Sequence, residues 1–254
     1  MYPVLHLGAL EISTYFLVIS LATTVGALWF LRRARQRGLS HLRAIDITLV
    51  CLVSGFLGAR LLHVVYEEPE FYRASPVRVF EIWYGGFVFL GGLLGASAGL
   101  LLFCRLRREP FLLWADLAAP PAALTYALGR LACFLNGCCY GRFCELPWAV
   151  MQAGAHRHPT QIYASLFELC TLGILFKFQH RLKVSGALFT FWLGLHAISR
   201  LFMEYFRDDP RGELIFGASL GTWMSLGLLI FSGALWASLP SFYRRSTGPD
   251  VANE

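Results

Sequence analysis

The strongest constraint in this chain is its division into long apolar runs separated by short polar loops. Seven such runs stand out, roughly 13–31, 45–66, 86–104, 111–135, 160–176, 184–206 and 214–238. Several reach about 20 residues, the length a helix needs to cross the hydrocarbon of a bilayer. Only 15% of the 254 residues are charged, against about a quarter in ordinary soluble domains. We therefore read an all-α polytopic membrane protein of seven transmembrane helices. It forms one domain over 1–240, with a short disordered cytoplasmic tail over 241–254. The opening "MYPVLHLGALEISTYF" has no basic stretch and no small-residue cleavage site, so the first run is expected to be a retained span.

The basic residues orient the spans. Arg32, Arg33, Arg35, Arg37 and Arg43 follow the first run, and Arg105, Arg107 and Arg108 follow the third. Lys177, Arg181 and Lys183 follow the fifth, and Arg244 and Arg245 the seventh. The alternate loops hold Arg73, Arg78, Arg142, Arg157, Arg207 and Arg211 together with acids such as Glu67, Glu68, Glu70, Asp208 and Asp209. The positive-inside rule then puts the N-terminus outside and the C-terminus in the cytoplasm. This distribution explains the net charge of +6 as topology, and no nucleic-acid partner is expected.

Three arginines, Arg60, Arg130 and Arg200, fall within or at the outer ends of spans. An arginine at mid-span costs about 2.5–3.5 kcal/mol on insertion scales. One alone is explained by snorkelling. Three, beside the glycine-rich "SGFLGAR", "GGFVFLGGLLG" and "LGRLACFLNG", predict helices packed closely around an outward cationic cavity. In the sixth run His196, Arg200, Glu204 and Arg207 recur at i, i+4, i+8 and i+11 and share one helical face. One reading is a buried Arg200–Glu204 ion pair with a satisfied histidine. The other is that Glu204 orients Arg200, Arg200 binds an anion through its planar fork, and His196 moves a proton.

The stretch "GRLACFLNGCCYGR" ends the fourth run. Arg130, Cys133 and Gly137 share a face there, and Asn136-Gly137 and Gly141 interrupt the helix. Backbone amides released beside Arg130 and Arg142 would cradle a phosphate, while an ordinary Asn-Gly helix end is the alternative. Cys133, Cys138, Cys139 and Cys144 do not match the paired spacings of zinc sites, so no metal or cofactor is expected. Disulfides or small apolar fillers are the open readings. Cys51, Cys104 and Cys170 are expected to pack within spans. In "HRHPTQIY", His156, Arg157 and His158 read as surface residues and Thr160 as an N-cap.

Taken in order, "PVLHLGALEISTYFLVI", "GARLLHVVYE", "EIWYGGFVFLGGLLGA", "GRLACFLNGCCYGR", "HPTQIYAS" and "RLFMEYFRDDP" resemble the prolipoprotein diacylglyceryl transferases across nearly the full length. The resemblance implies a seven-span enzyme of the bacterial inner membrane with its active site toward the outer leaflet. It also implies transfer of a diacylglyceryl group from phosphatidylglycerol, or another anionic phospholipid, to the lipobox cysteine of a preprolipoprotein. A thioether forms and glycerol phosphate leaves. By motif, Arg130 and Arg200 take the lipid phosphate; Asn136, Gly137 and Gly141 shape the pocket, Tyr15 lies nearby, and Glu204 holds Arg200. Arg60, Gly91, Gly92, Cys133, Arg142 and Arg207 complete the expected substrate-binding set. Leu90 stands where the family carries His or Tyr, His196 where it often carries Tyr, and Cys133 and Cys138 where familiar members carry Asn and Glu. His196 is thus the candidate to take over proton handling. The alternatives are a non-catalytic or differently acting phospholipid-binding paralogue on the same scaffold and, more remotely, a thiol oxidoreductase.

Overall fold

A computed structural model describes residues 4–8, 10–82, 85–208 and 216–246. A short antiparallel hairpin, β1 (Val4–Leu7) and β2 (Leu10–Ser13), leads into α1 (Thr14–Gln36). Then come α2 (His41–Leu62), a π-helical turn (His63–Glu67) and the short α3 (Pro69–Ala74). A 3-10 turn at Pro76–Phe80 precedes α4 (Phe89–Arg107) and α5 (Phe111–Asn136). A second hairpin, β3 (Val150–Gln152) and β4 (Ala155–Arg157), precedes α6 (Thr160–Phe178), α7 (Ala187–Phe206) and α8 (Leu220–Ser246). Each of the seven apolar runs has become a long helix. Six are long and apolar enough to cross a membrane; α7 is not among these, because His196, Arg200 and Glu204 interrupt its apolar face. Helix α8 continues to Ser246, so its last turns enter the stretch expected as a tail. Residues 247–254, Asp209 and Arg211 lie outside the described residues.

The contacts divide the chain into two compact units, 31–111 and 1–30 with 112–254. The first unit is built on α2 against α4. A Cβ on Gly91 would collide with the Gly58 carbonyl and with Leu62 Cβ at 2.7 Å. One on Gly58 would meet Gly95 Cα at 2.9 Å, and one on Gly99 would reach Ser54 Cβ at 2.8 Å. The two backbones touch along a glycine seam, which is how helices gain van der Waals contact where lipid supplies no hydrophobic drive. Gly91, expected in the substrate-binding set, is therefore occupied by packing. Gly92 has only ordinary contacts with Gly55 and Ala59.

Arg60 also has a different environment from the one expected. Its Nε donates to Val79 O at 3.0 Å, Nη1 to Gly85 O and Gly86 O at 2.6 and 3.1 Å, and Nη2 to Arg78 O and Glu81 O at 2.9 and 3.3 Å. Every N–H of the guanidinium fork is paired with a carbonyl of the 78–86 loop, which satisfies backbone that lipid could not. Beside it, buried His63 bonds Glu67 at 2.7 Å, and its ring leaves no room for a side chain at Gly86, whose φ is +80°.

In the other unit Gly26 lets α1 approach Thr125 of α5 closely. Asp116 of α5 caps α7 from a distance, accepting from Gly186 N at 2.7 Å and Phe189 N at 2.8 Å. A carboxylate at that end satisfies orphan amides and complements the helix dipole. Ser232 of α8 donates to the Thr190 carbonyl of α7 at 2.9 Å.

Candidate active site

The fourth-run stretch ends as a helix C-cap that a glycine makes possible. Gly137 has φ +77°; its N–H donates to Phe134 O at 3.1 Å, and Cys138 N–H reaches back to Cys133 O at 3.2 Å. These are the paired bonds of a Schellman motif. Beyond it, Gly141 N donates to His158 O at 3.1 Å, Arg142 N to Phe206 O at 2.8 Å and Cys144 N to His156 O at 3.0 Å. The cradle of free amides expected beside Arg130 and Arg142 is therefore not what forms: the amides of Gly137, Cys138, Gly141 and Arg142 have intramolecular partners. Gly141 is where two chain segments cross, since a Cβ there would meet His158 O at 2.7 Å and Phe206 O at 2.8 Å. Asn136 and Arg142 are exposed, and the Arg142 guanidinium lies 5.3 Å from the Tyr205 ring.

Segment 156–161 anchors this loop from the other side. Arg157, expected at the surface, is buried: its Nη1 donates to Gly141 O at 3.1 Å and to Asp208 at 3.0 Å, and its guanidinium sits 4.7 and 4.4 Å from the Tyr140 and Phe143 rings. Thr160 is the first residue of α6, after Pro159 at the cap, and its hydroxyl donates to Cys139 O at 2.8 Å. Gln161 donates to Cys138 O at 2.6 Å. His158 is half-buried against Tyr163 and Phe206, and His156 is exposed.

The cations gather around Tyr126. Arg130, half-buried one turn along α5, lies with its guanidinium carbon 4.8 Å from the Tyr126 ring centroid. Arg200 of α7 stands within electrostatic reach of Tyr126, Arg130, Arg207 and Glu204. Three guanidiniums in one neighbourhood repel one another, so the arrangement favours an anion between them. Glu204 Oε1 accepts a hydrogen bond from Ser219, and a Cβ on Gly221 would meet Glu204 Oε2 at 3.2 Å and Arg200 Nη2 at 3.6 Å. The start of α8 thus closes over the Arg200–Glu204 face. Arg207 caps α7 and bridges to Gly141.

His196 is buried, 2% exposed, and its Nδ1 lies 3.0 Å from Glu168 Oε2. Glu168, fully buried in α6, accepts at its other oxygen from Trp192 Nε1 at 2.7 Å. The His196 ring meets the Tyr126 ring edge-on at 4.6 Å. A connected path therefore runs Glu168–His196–Tyr126–Arg130, and its first and third members were not among the expected site residues. Glu168 had a signal: it is the sole acid inside its apolar run, and ionisable residues there point to function.

Cys133, Cys138 and Cys139 come together with their sulfurs within 4.8 Å of one another, whereas Cys144 is buried and accepts from Leu146 N. Tyr15 is in electrostatic range of all three thiols and of Arg130. Hydrogen bonding from the neighbouring Cys133 and Cys138 thiols holds the Cys139 thiol well below the ordinary thiol range, and Arg207 and Arg130 add to this.

The family model described as prolipoprotein diacylglyceryl transferase matches residues 3–238. Relatives named phosphatidylglycerol–prolipoprotein diacylglyceryl transferase include one from Cupriavidus metallidurans, 33% identical over 263 aligned positions that cover 98% of this chain and 95% of that protein. One from Geobacter sulfurreducens is 32% identical over 253, covering 96% of each. A third, from Clostridium tetani, is 30% identical over 222, covering 84% of this chain and 88% of its own length.

Proposed function

The chain belongs to the prolipoprotein diacylglyceryl transferase family, and we propose that it moves a diacylglyceryl group from phosphatidylglycerol to the lipobox cysteine thiol of a preprolipoprotein. The observation that carries this reading to particular residues is Arg130 against the Tyr126 ring with Arg200 in electrostatic range of both. In the reaction the glyceryl C–O bond breaks as an S–C bond forms, and the bonding electrons leave on a phosphate oxygen. No acyl intermediate is required. The catalytic demand is a thiolate to attack and fixed positive charge where the phosphate departs.

Arg130 and Arg200 meet the second demand. Each guanidinium remains charged and offers two N–H groups to phosphate oxygens, and in a half-buried site their charge is poorly screened. Ser219 and Gly221 keep Glu204 beside Arg200, so that one carboxylate fixes the arginine while the excess positive charge of Arg130 and Arg207 is left for the lipid. Tyr126 supports Arg130 through the face of its ring. His196, expected to move the thiol proton, is buried and hydrogen-bonded to Glu168, so in this reading it is a positioning residue behind Tyr126 and the lipobox thiol loses its proton to solvent before attack. In this reading Tyr15 and Cys133, in electrostatic range of Arg130, and Asn136, Gly137 and Gly141 of the loop beyond it contribute to the lipid site. Arg60 and Gly91, engaged in the other unit, are left out.

In the membrane the seven long helices are read as seven spans, with the N-terminus outside, the C-terminus cytoplasmic and the site opening to the outer leaflet of the inner membrane. The basic residues after α1, α4 and α6 support that orientation. Transferase names throughout the relatives favour transfer over non-catalytic lipid binding. The test is incubation of the purified protein with phosphatidylglycerol and a lipobox peptide, followed by mass spectrometry. A diacylglyceryl mass gain on the peptide cysteine is expected; an unmodified peptide, with an authentic transferase working alongside, contradicts the assignment.

A further inference from the structure

We propose that Cys133, Cys138 and Cys139 form a binding site for a thiophilic d10 metal ion such as Zn(II). The inference stands on the cluster's geometry; the cluster shares Cys133, Arg130 and Arg207 with the proposed lipid site, but its test reads metal binding and not transfer.

The cluster follows from the helix end. In a Schellman motif the residue after the left-handed glycine returns to the residue three places before the helix cap, and an apolar contact commonly joins the two. Here those two positions are Cys138 and Cys133, so the motif sets thiol against thiol. Cys139, with φ +62°, turns the chain again and brings a third sulfur to the same point. All three sulfurs fall within 4.8 Å of one another. Zn–S bonds of ≈ 2.3 Å at tetrahedral or trigonal angles need sulfurs about 3.8–4.0 Å apart, so each sulfur has less than an ångström to move.

The frame and the charge also suit a metal. Gln161 and Thr160 hold the carbonyls of Cys138 and Cys139 at 2.6 and 2.8 Å, which fixes two of the ligands before any ion arrives. All three cysteines are half-buried, screened from bulk water yet open to an entering ion. Each thiol releases its proton to solvent on binding. Three thiolates around a divalent ion leave one net negative charge, and Arg130 and Arg207 lie within electrostatic range of Cys139 to balance it. Soft thiolate ligands select Zn(II) and Cu(I) over hard cations. Cys144 stands apart, leaving a fourth position for water or an added ligand, the arrangement of a three-ligand zinc centre. Spacing alone hid this: C-x4-C-C is not a zinc motif, and the three sulfurs converge only because Gly137 reverses the chain.

The test uses the full-length protein in detergent, reduced and then freed of reductant and metal under inert gas, and titrated with Cd(II) as a spectroscopic stand-in. A thiolate-to-metal charge-transfer band saturating at one equivalent, reversed by Zn(II), is expected, together with protection of three thiols from a thiol-reactive dye. The variant with Cys51, Cys104, Cys144 and Cys170 all changed to Ser keeps the band. C138S, a single surface-proximal change, weakens Cd(II) binding by at least roughly 100-fold, the upper range for losing even a supporting group. The triple variant C133S/C138S/C139S loses the band. No band in the reduced wild type, or equal affinity in C138S, overturns the proposal. So does a disulfide among the three that forms again once reductant is removed under inert gas and excludes the ion.

Discussion

Replacing Glu168 tests the buried path behind Arg130. Glu168 is fully buried and accepts from Trp192 Nε1 at 2.7 Å and His196 Nδ1 at 3.0 Å. Glu168→Ala strands both donors in a site water does not reach. Each buried unpaired donor costs about 1–3 kcal/mol, and the lost volume adds a cavity penalty. A loss of about 3–6 kcal/mol follows; at roughly 2–4 °C per kcal/mol for a chain of this size, the thermal midpoint falls by about 6–24 °C. Glu168→Gln is the informative companion. Its amide oxygen still accepts from Trp192, while its amide N–H groups face His196 and require Nδ1 to be the acceptor. The imidazole then carries its proton on Nε2, and the cost falls to about 1 kcal/mol. The assay is thermal unfolding of detergent-purified variants, followed by tryptophan fluorescence with intact binding of phosphatidylglycerol as a check. The order expected is wild type, then Gln, then Ala. A midpoint for Glu168→Ala within about 2 °C of wild type would mean that Trp192 and His196 do not depend on Glu168, because two buried donors cannot lose their acceptor at no cost.

Gly91→Ala forces α2 and α4 apart at the glycine seam; we expect about 1–3 kcal/mol of destabilisation, read as earlier unfolding and as proteolysis within 31–111. Arg60→Lys keeps the charge but cannot fill five carbonyl contacts with three donors, so the 78–86 loop becomes protease-sensitive while lipid binding by the purified protein is retained. Gly141→Ala pushes His158 and Phe206 carbonyls away from the crossing point and lowers turnover at least tenfold, measured by the peptide mass assay; turnover equal to wild type would remove Gly141 from the site's framework.

The fold was legible wherever hydropathy alone decides structure. All seven apolar runs became helices, because runs of about 20 apolar residues leave the backbone no other way to satisfy itself in lipid. The face bearing His196, Arg200, Glu204 and Arg207 was legible for a similar reason, since helical periodicity is local. What was not legible depends on contacts between segments distant in sequence. Arg60 looked like a free cation because the loop that encloses it lies about 20 residues further on. Arg157 looked exposed because its partners, Gly141 and Asp208, come from other segments. The amide cradle looked plausible until the chain at 156–158 and the end of α7 took up those N–H groups. Glu168 is the instructive miss: the signal was present, a single acid in an apolar helix, and only its pairing with His196 brings it beside the proposed site. The hairpins escaped because three- and four-residue strands carry too little alternation to register.

In the proposed mechanism Arg130 and Arg200 together receive the phosphate leaving from phosphatidylglycerol. The most direct measurement is the transfer rate of Arg130→Lys, a variant that keeps the charge but loses the planar fork, against wild type at saturating lipid and peptide. Removing one such oriented donor typically costs about 10²–10³ in rate. We predict a loss of at least about 100-fold, with the thermal midpoint unchanged within a few degrees. A rate within twofold of wild type would mean that Arg130 does not hold the leaving phosphate.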